Sequence, residues 1–81
     1  MKHFVYVLYS SEFERFYVGM SSDVSRRLKQ HNLGLVKSTK SFKPWKIQYT
    51  EKFNTSVEAR KREKYLKSGA GRRWRKQNMG P

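Results

Sequence analysis

The sequence predicts an α+β fold in which a three-stranded antiparallel sheet is flanked by helices, in the order β-β-α-β-α, with a further turn or short helix at the C-terminal end. Three observations carry this expectation. The run Phe4–Tyr9 is apolar or aromatic throughout, two further short stretches alternate or cluster strand-forming residues, and two segments between polar breaks open on helix-capping residues.

In residues 3–9, Phe4, Tyr6 and Leu8 alternate with Val5, Val7 and Tyr9. Both faces are therefore apolar, as in a central strand covered on both sides. The polar stretch Ser10–Arg15 reads as a turn and Phe16–Met20 as a second strand, so the pair forms an antiparallel hairpin. Ser22 or Asp23 caps a helix running to about Asn32, with Val24 and Leu28 on its apolar stripe, His31 extending that stripe, and Asn32 and Gly34 as the stop signal. Residues 33–44 form a loop rich in Lys, Ser and Thr that ends at Pro44. Residues 45–51 alternate, which places Trp45, Ile47 and Tyr49 on one face of a half-buried third strand. Thr55-Ser56-Val57-Glu58 matches a capping box and opens a second helix to about Ser68, stopped at Gly69 or Gly71. The basic piece Arg72–Gln77 adds the final turn or short helix, and residues from about 77 to 81 are expected to be a flexible tail. No repeat or linker divides the chain, so residues 1–81 read as one domain.

Composition narrows the function. Hydrophobic residues make up 36% of the chain and aromatics 15%, enough for a core despite the charge. With no cysteine, disulfide frameworks, thiolate zinc sites and cysteine nucleophiles are excluded, and two histidines are too few for a typical zinc cluster. No apolar run approaches the roughly 18 residues needed to span a bilayer, and the short N-terminal strand is no signal peptide. A cytoplasmic location, with no membrane partner, is expected. Nineteen Lys and Arg against six acids give a net charge of +13, which points to a polyanionic partner, nucleic acid.

Several residues do not suit a bland core. Glu63 lies four residues after Ala59 and three before Leu66, on the inward stripe of the second helix. A carboxylate there either forms an ion pair with Arg60, Arg62 or Lys67, or holds a hard divalent cation. Arg27 and His31, four apart on one helix face, are either a surface charge beside a packed histidine or a pair aimed into one cleft, where the planar guanidinium suits a phosphate. Tyr6 and Tyr17 are packing residues, or a base whose ordinary pKa of about 10 must be lowered by a nearby cation. Gly19 marks a bulge or a place where a ligand must approach the backbone. Nine basic residues fall between 60 and 76, with Glu63 the only acid among them, as expected of a phosphate-gripping face. Trp74 in that run either stacks on a base or pins the chain end to the core.

Taken in order, these residues resemble the GIY-YIG nuclease superfamily, and in particular its short stand-alone bacterial members related to the N-terminal nuclease domain of the bacterial excision-repair endonuclease. The two signatures stand here as Val5-Tyr6-Val7 and Tyr17-Val18-Gly19. They are followed by Asp23-Val24-Ser25-Arg26-Arg27-Leu28, His31-Asn32-Leu33-Gly34, Lys43-Pro44-Trp45, and Glu58-Ala59-Arg60-Lys61-Arg62-Glu63. The resemblance spans residues 4 to about 74. It departs from the pattern at Val5 and Val7 in the first motif, and at Met20, where the repair nucleases carry a lysine.

The resemblance implies a GIY-YIG-like fold and an endonuclease that hydrolyses phosphodiester bonds, most simply in DNA, during repair or recombination, with one Mg²⁺ or Mn²⁺ ion. It implies Tyr6 and Tyr17 as the motif tyrosines, Arg27 as the catalytic arginine, His31 at a position where the family carries histidine or tyrosine, and Glu63 as both a catalytic residue and the metal ligand. Lys37, Lys40, Lys43, Arg60, Lys67, Arg72 and Arg73 are expected to bind nucleic acid. Two other readings fit the same charge: a non-catalytic basic nucleic-acid-binding module that retains the nuclease fold, and an accessory protein that takes its target choice from a protein partner.

Overall fold

The structure, a computed structural model, describes residues 2–79. Strands β1 (His3–Ser10), β2 (Arg15–Ser21) and β3 (Lys46–Phe53) form one antiparallel sheet in the order β2-β1-β3, so the doubly apolar run is indeed the central strand. Helix α1 (Val24–Asn32) follows the hairpin, and helices α2 (Ser56–Lys67) and α3 (Gly69–Met79) follow the sheet. A single 3₁₀ turn, Lys40–Phe42, interrupts the loop between α1 and β3.

Local sequence explains where the helices begin. The Asp23 side chain accepts from the Arg26 amide and caps α1, and Thr55 accepts from the Glu58 amide and caps α2. The Thr55 hydroxyl also donates to the Glu58 carboxylate at 2.9 Å. At its far end α1 is tied to the third strand, because Asn32 accepts from the Trp45 amide at 2.6 Å and donates to the Trp45 carbonyl at 2.9 Å.

The alternation of β1 divides the interior in two. Val5 and Val7 pack with Val18, Ala59 and Leu66 beneath α2 and α3, joined by Tyr49, Phe53, Trp74 and Met79. Tyr6 and Leu8 face the other way, toward Trp45, Tyr17, Val24, Leu28 and Phe42 beneath α1. The sheet is thus covered on both faces, one helix above and two below.

Two expectations are corrected. Val7 pairs with Tyr49 but Leu8 pairs with Ile47, so β3 carries a one-residue bulge at Gln48. Trp45, Ile47 and Tyr49 therefore do not share a face: Trp45 joins the α1 side, Tyr49 joins the α2 side, and Ile47 is exposed. The final basic segment is a full helix of 11 residues, with Trp74 and Met79 packed on the lower core and the Gln48 side chain donating to the Met79 carbonyl at 2.8 Å. Residues 77–79 of the expected tail are helical, and Gly80 and Pro81 lie outside the described residues.

Candidate active site

Tyr6 and Gly19 are directly opposed in the β1–β2 pair, with Tyr17 two residues away on the same face of β2. The Tyr6 ring lies over the glycine: a β-carbon built at Gly19 would come within 2.6 Å of the Tyr6 hydroxyl and 3.0 Å of the Tyr17 ring. Gly19 is thus no bulge, and what approaches its backbone is the Tyr6 ring and not a ligand. From above, α1 lowers His31 into this space. Its Nε2 is 3.0 Å from the Tyr6 hydroxyl, and its ring centroid is 4.9 Å from that of Tyr17. Nδ1 of His31 is 2.7 Å from the Thr39 hydroxyl, which in turn donates to the Val36 carbonyl at 3.4 Å. The indole N–H of Trp45 donates to the Thr39 carbonyl at 3.0 Å and steadies the loop that presents it. A buried chain of polar groups, Tyr6–His31–Thr39, results.

The electrostatics follow from burial. Both Tyr6 and His31 are shut off from solvent. Burial pushes the Tyr6 phenol above its ordinary pKa. The Arg27 guanidinium pulls it back down, while Tyr17 and the Glu63 carboxylate add smaller upward pushes. Burial, with the Arg27 charge second, holds the His31 pKa down to about 4, so the ring is neutral at physiological pH. Arg27 is therefore close enough to act on both groups. Its Nη1 donates to Gln30 at 2.8 Å, and it lines an open cleft with Met20, Ser21 and Arg26.

Glu63 approaches from α2, on the other side of the sheet. Its side chain is 14% exposed and pairs with Arg60 at 3.5 Å and Lys67 at 3.3 Å. Arg62, the third partner that the sequence offers, instead binds Glu51 at 2.7 Å. Among the described residues no group of three or more His, Asp or Glu forms a metal cage. A lone carboxylate still fits Mg²⁺, which binds through one or two carboxylates and keeps several waters. The two cations that neutralise Glu63 are long side chains, 62% and 52% exposed, with room to turn outward.

A family model described as the GIY-YIG catalytic domain matches residues 2–78. The chain belongs to the GIY-YIG family. Similar proteins include a UPF0213 protein of Listeria innocua, 43% identical over 67 residues, which covers 82% of this chain and 73% of the relative. A UPF0213 protein of Staphylococcus aureus is 39% identical over 67 residues, covering 82% of this chain and 80% of the relative. The solution NMR structure of a UPF0213 protein from Bacillus halodurans superposes with a TM-score of 0.60 at 30% identity, covering all of this chain and 89% of that one.

In this GIY-YIG chain the basic residues expected to touch nucleic acid are not one patch. Lys67 and Arg72 share a groove along β2 beside Tyr17. Arg60 lies in a separate depression with Met20, Val57 and Lys64. Lys40 and Lys43 flank Gly34 at the end of α1, and Lys37 is exposed in the same loop. Arg73 is exposed on α3, with its guanidinium near Gly69. Trp74 packs edge-on against Tyr49 under the Arg62 guanidinium, so it pins α3 to the core. Thr39 is the site residue that sequence reasoning did not single out; the loop's composition gives it no distinction from Ser38 or Ser41.

Proposed function

We propose that this chain is a divalent-metal-dependent endonuclease that hydrolyses phosphodiester bonds in DNA, in repair or recombination. The observation that carries this reading is the Tyr6–His31–Thr39 chain, with Arg27 and Glu63 both acting on the Tyr6 phenol. With the Thr39 proton on the Val36 carbonyl, Nδ1–H of His31 donates to Thr39, leaving Nε2 to accept the Tyr6 proton. With its proton held by Nε2 of His31, Tyr6 keeps an oxygen lone pair free and is the group that orients or deprotonates the attacking water. Tyr17 walls the site and orients the His31 ring. Arg27 binds the phosphate and neutralises the charge that develops on it. Glu63 would hold the cation; when bound, a divalent ion supplies Lewis-acid polarisation of the phosphoryl oxygen and stabilises the leaving group.

The test is cleavage of supercoiled plasmid and branched DNA with Mg²⁺. Glu63→Ala and Arg27→Ala are each expected to lower the rate by about 10²-fold or more, the usual scale for removing one transition-state contact, while their circular dichroism spectra match the parent. Undiminished cleavage by either variant overturns the assignment. DNA binding with no metal-dependent cleavage by the parent chain selects the non-catalytic binding module instead.

A further inference from the structure

The edge of β2 continues beyond Tyr17, away from the Arg27 cleft, as an open groove of about 550 Å³. Arg15, Phe16, Tyr17, Lys67, Arg72 and Arg75 line it, together with Glu14. Arg75 comes from α3 and lies over the Phe16 ring, its guanidinium carbon 5.3 Å from the ring centroid. Its Nε is buried and has no hydrogen-bond partner. Among the described residues the ion pairs are Arg60–Glu63, Arg62–Glu51 and Lys67–Glu63, so Arg15, whose guanidinium carbon lies 4.5 Å from the Phe42 ring centroid, lines the groove with Arg72 and Arg75 and no carboxylate is committed to any of the three. Burial and the charge of Arg72 both work against the charged form of Arg75. Holding an arginine this way costs free energy, and an anion in the groove relieves it.

The anion's chemistry follows from the groove's position. Tyr17 forms one wall of the groove and also packs against His31 in the active site, so the two are continuous. Along β2, Arg15 lies four residues from Gly19, about 13 Å at ~3.3 Å per residue. One strand of a DNA duplex advances ~3.4 Å per phosphate along the helix axis, and its successive phosphates lie farther apart than that, so the span corresponds to a few nucleotides at most. Arginine forks match phosphate oxygens two at a time.

We propose that this groove is a phosphate-binding subsite, in which Arg15, Arg72 and Arg75 hold the nucleic-acid backbone a few nucleotides from the bond cleaved at Tyr6. Of its three arginines, Arg72 and Arg75 belong to the basic run 60–76 that the sequence marks as phosphate-gripping, and Arg15 lies outside it. The proposal rests on the nuclease reading for the identity of the reacting bond, while its binding component stands on the groove alone.

The experiment measures binding of a fluorescein-labelled 16-base-pair DNA duplex by anisotropy, without metal, over a series of salt concentrations. The Arg72→Gln/Arg75→Gln double variant is expected to bind about tenfold or more weakly. The slope of log K against log salt should become shallower by about 1 to 2, as each lost phosphate contact removes ~0.9. Lys52→Gln removes a charge at the opposite edge of the sheet and is expected to leave the affinity within about threefold. Arg75→Lys keeps the charge but not the fork, and is expected to fall between parent and double variant. If the double variant does not fold, as judged by circular dichroism, the exposed Arg72→Gln alone carries the test. Parent-like affinity and salt slope in the folded variants, with the parent binding duplex normally, overturn the subsite and leave the nuclease reading standing. Cleavage lost through Glu63→Ala with the groove-dependent binding intact separates the two in the other direction.

Discussion

At the scale of single residues, the site turns on a neutral histidine held between two hydroxyls. The Thr39 hydroxyl, which donates to the Val36 carbonyl, is left to accept from Nδ1 of His31, and in the proposed reading this fixes which nitrogen faces Tyr6. Thr39→Val keeps the shape and removes the acceptor, so a fall of about tenfold to a hundredfold in cleavage rate is expected with DNA affinity unchanged; single-turnover kinetics read both. The low pKa of His31 also sets a pH dependence. The unfolded chain takes up this proton below its ordinary pKa of 6.5, whereas the folded chain takes it up only near 4. The unfolded state therefore binds more protons in between, and stability falls as the pH drops from 6.5 to 4, then levels off. A thermal melt series should show that loss, and His31→Gln should flatten it. Glu63 and Arg27 were legible in the sequence as candidates, a charge on an apolar stripe and a guanidinium four residues from a histidine on one helix face, whereas the motif tyrosines by themselves read as packing and were marked only by the resemblance. Thr39 was not legible, because its role is fixed by the Trp45 indole reaching across the loop, a contact no local pattern encodes.

At the scale of elements, the helix starts and the central strand could be read directly, since capping side chains and a doubly apolar run are local signals. The length of α3 could not. It has two glycines near its start and few apolar residues, and it is held by tertiary contacts of Trp74, Met79 and Gln48. Gly71 shows how tightly α2 and α3 meet: a β-carbon there would lie 1.9 Å from the Tyr65 carbonyl oxygen. Gly71→Ala is expected to destabilise the fold by about 1–3 kcal/mol, the usual range for overpacking a tight contact, which urea denaturation would measure. Because Arg72 and Arg75 ride on the same helix, DNA affinity should fall with it.

At the scale of the whole molecule, charge and shape pull against each other. Nineteen cations and six acids share 81 residues, and three ion pairs among the described residues engage only Glu51 and Glu63. Self-repulsion on this scale is screened by salt, so the melting temperature of the free protein should rise from low salt to ~0.15 M, while DNA affinity falls over the same range. A melting temperature that drops with added salt would count against repulsion as the dominant long-range force.

The extra residue in the third strand reaches further than its place suggests. Shortening the chain by Gln48 would leave Ile47 across from Leu8 and Tyr49 across from Val7, now as consecutive steps of an unbroken ladder, so the indole would keep its hold on the Thr39 carbonyl. What such a deletion takes away is the amide that reaches the Met79 carbonyl, so it should spare the chemistry at Tyr6 while loosening the last helix, seen as a lower melting temperature and weaker DNA binding.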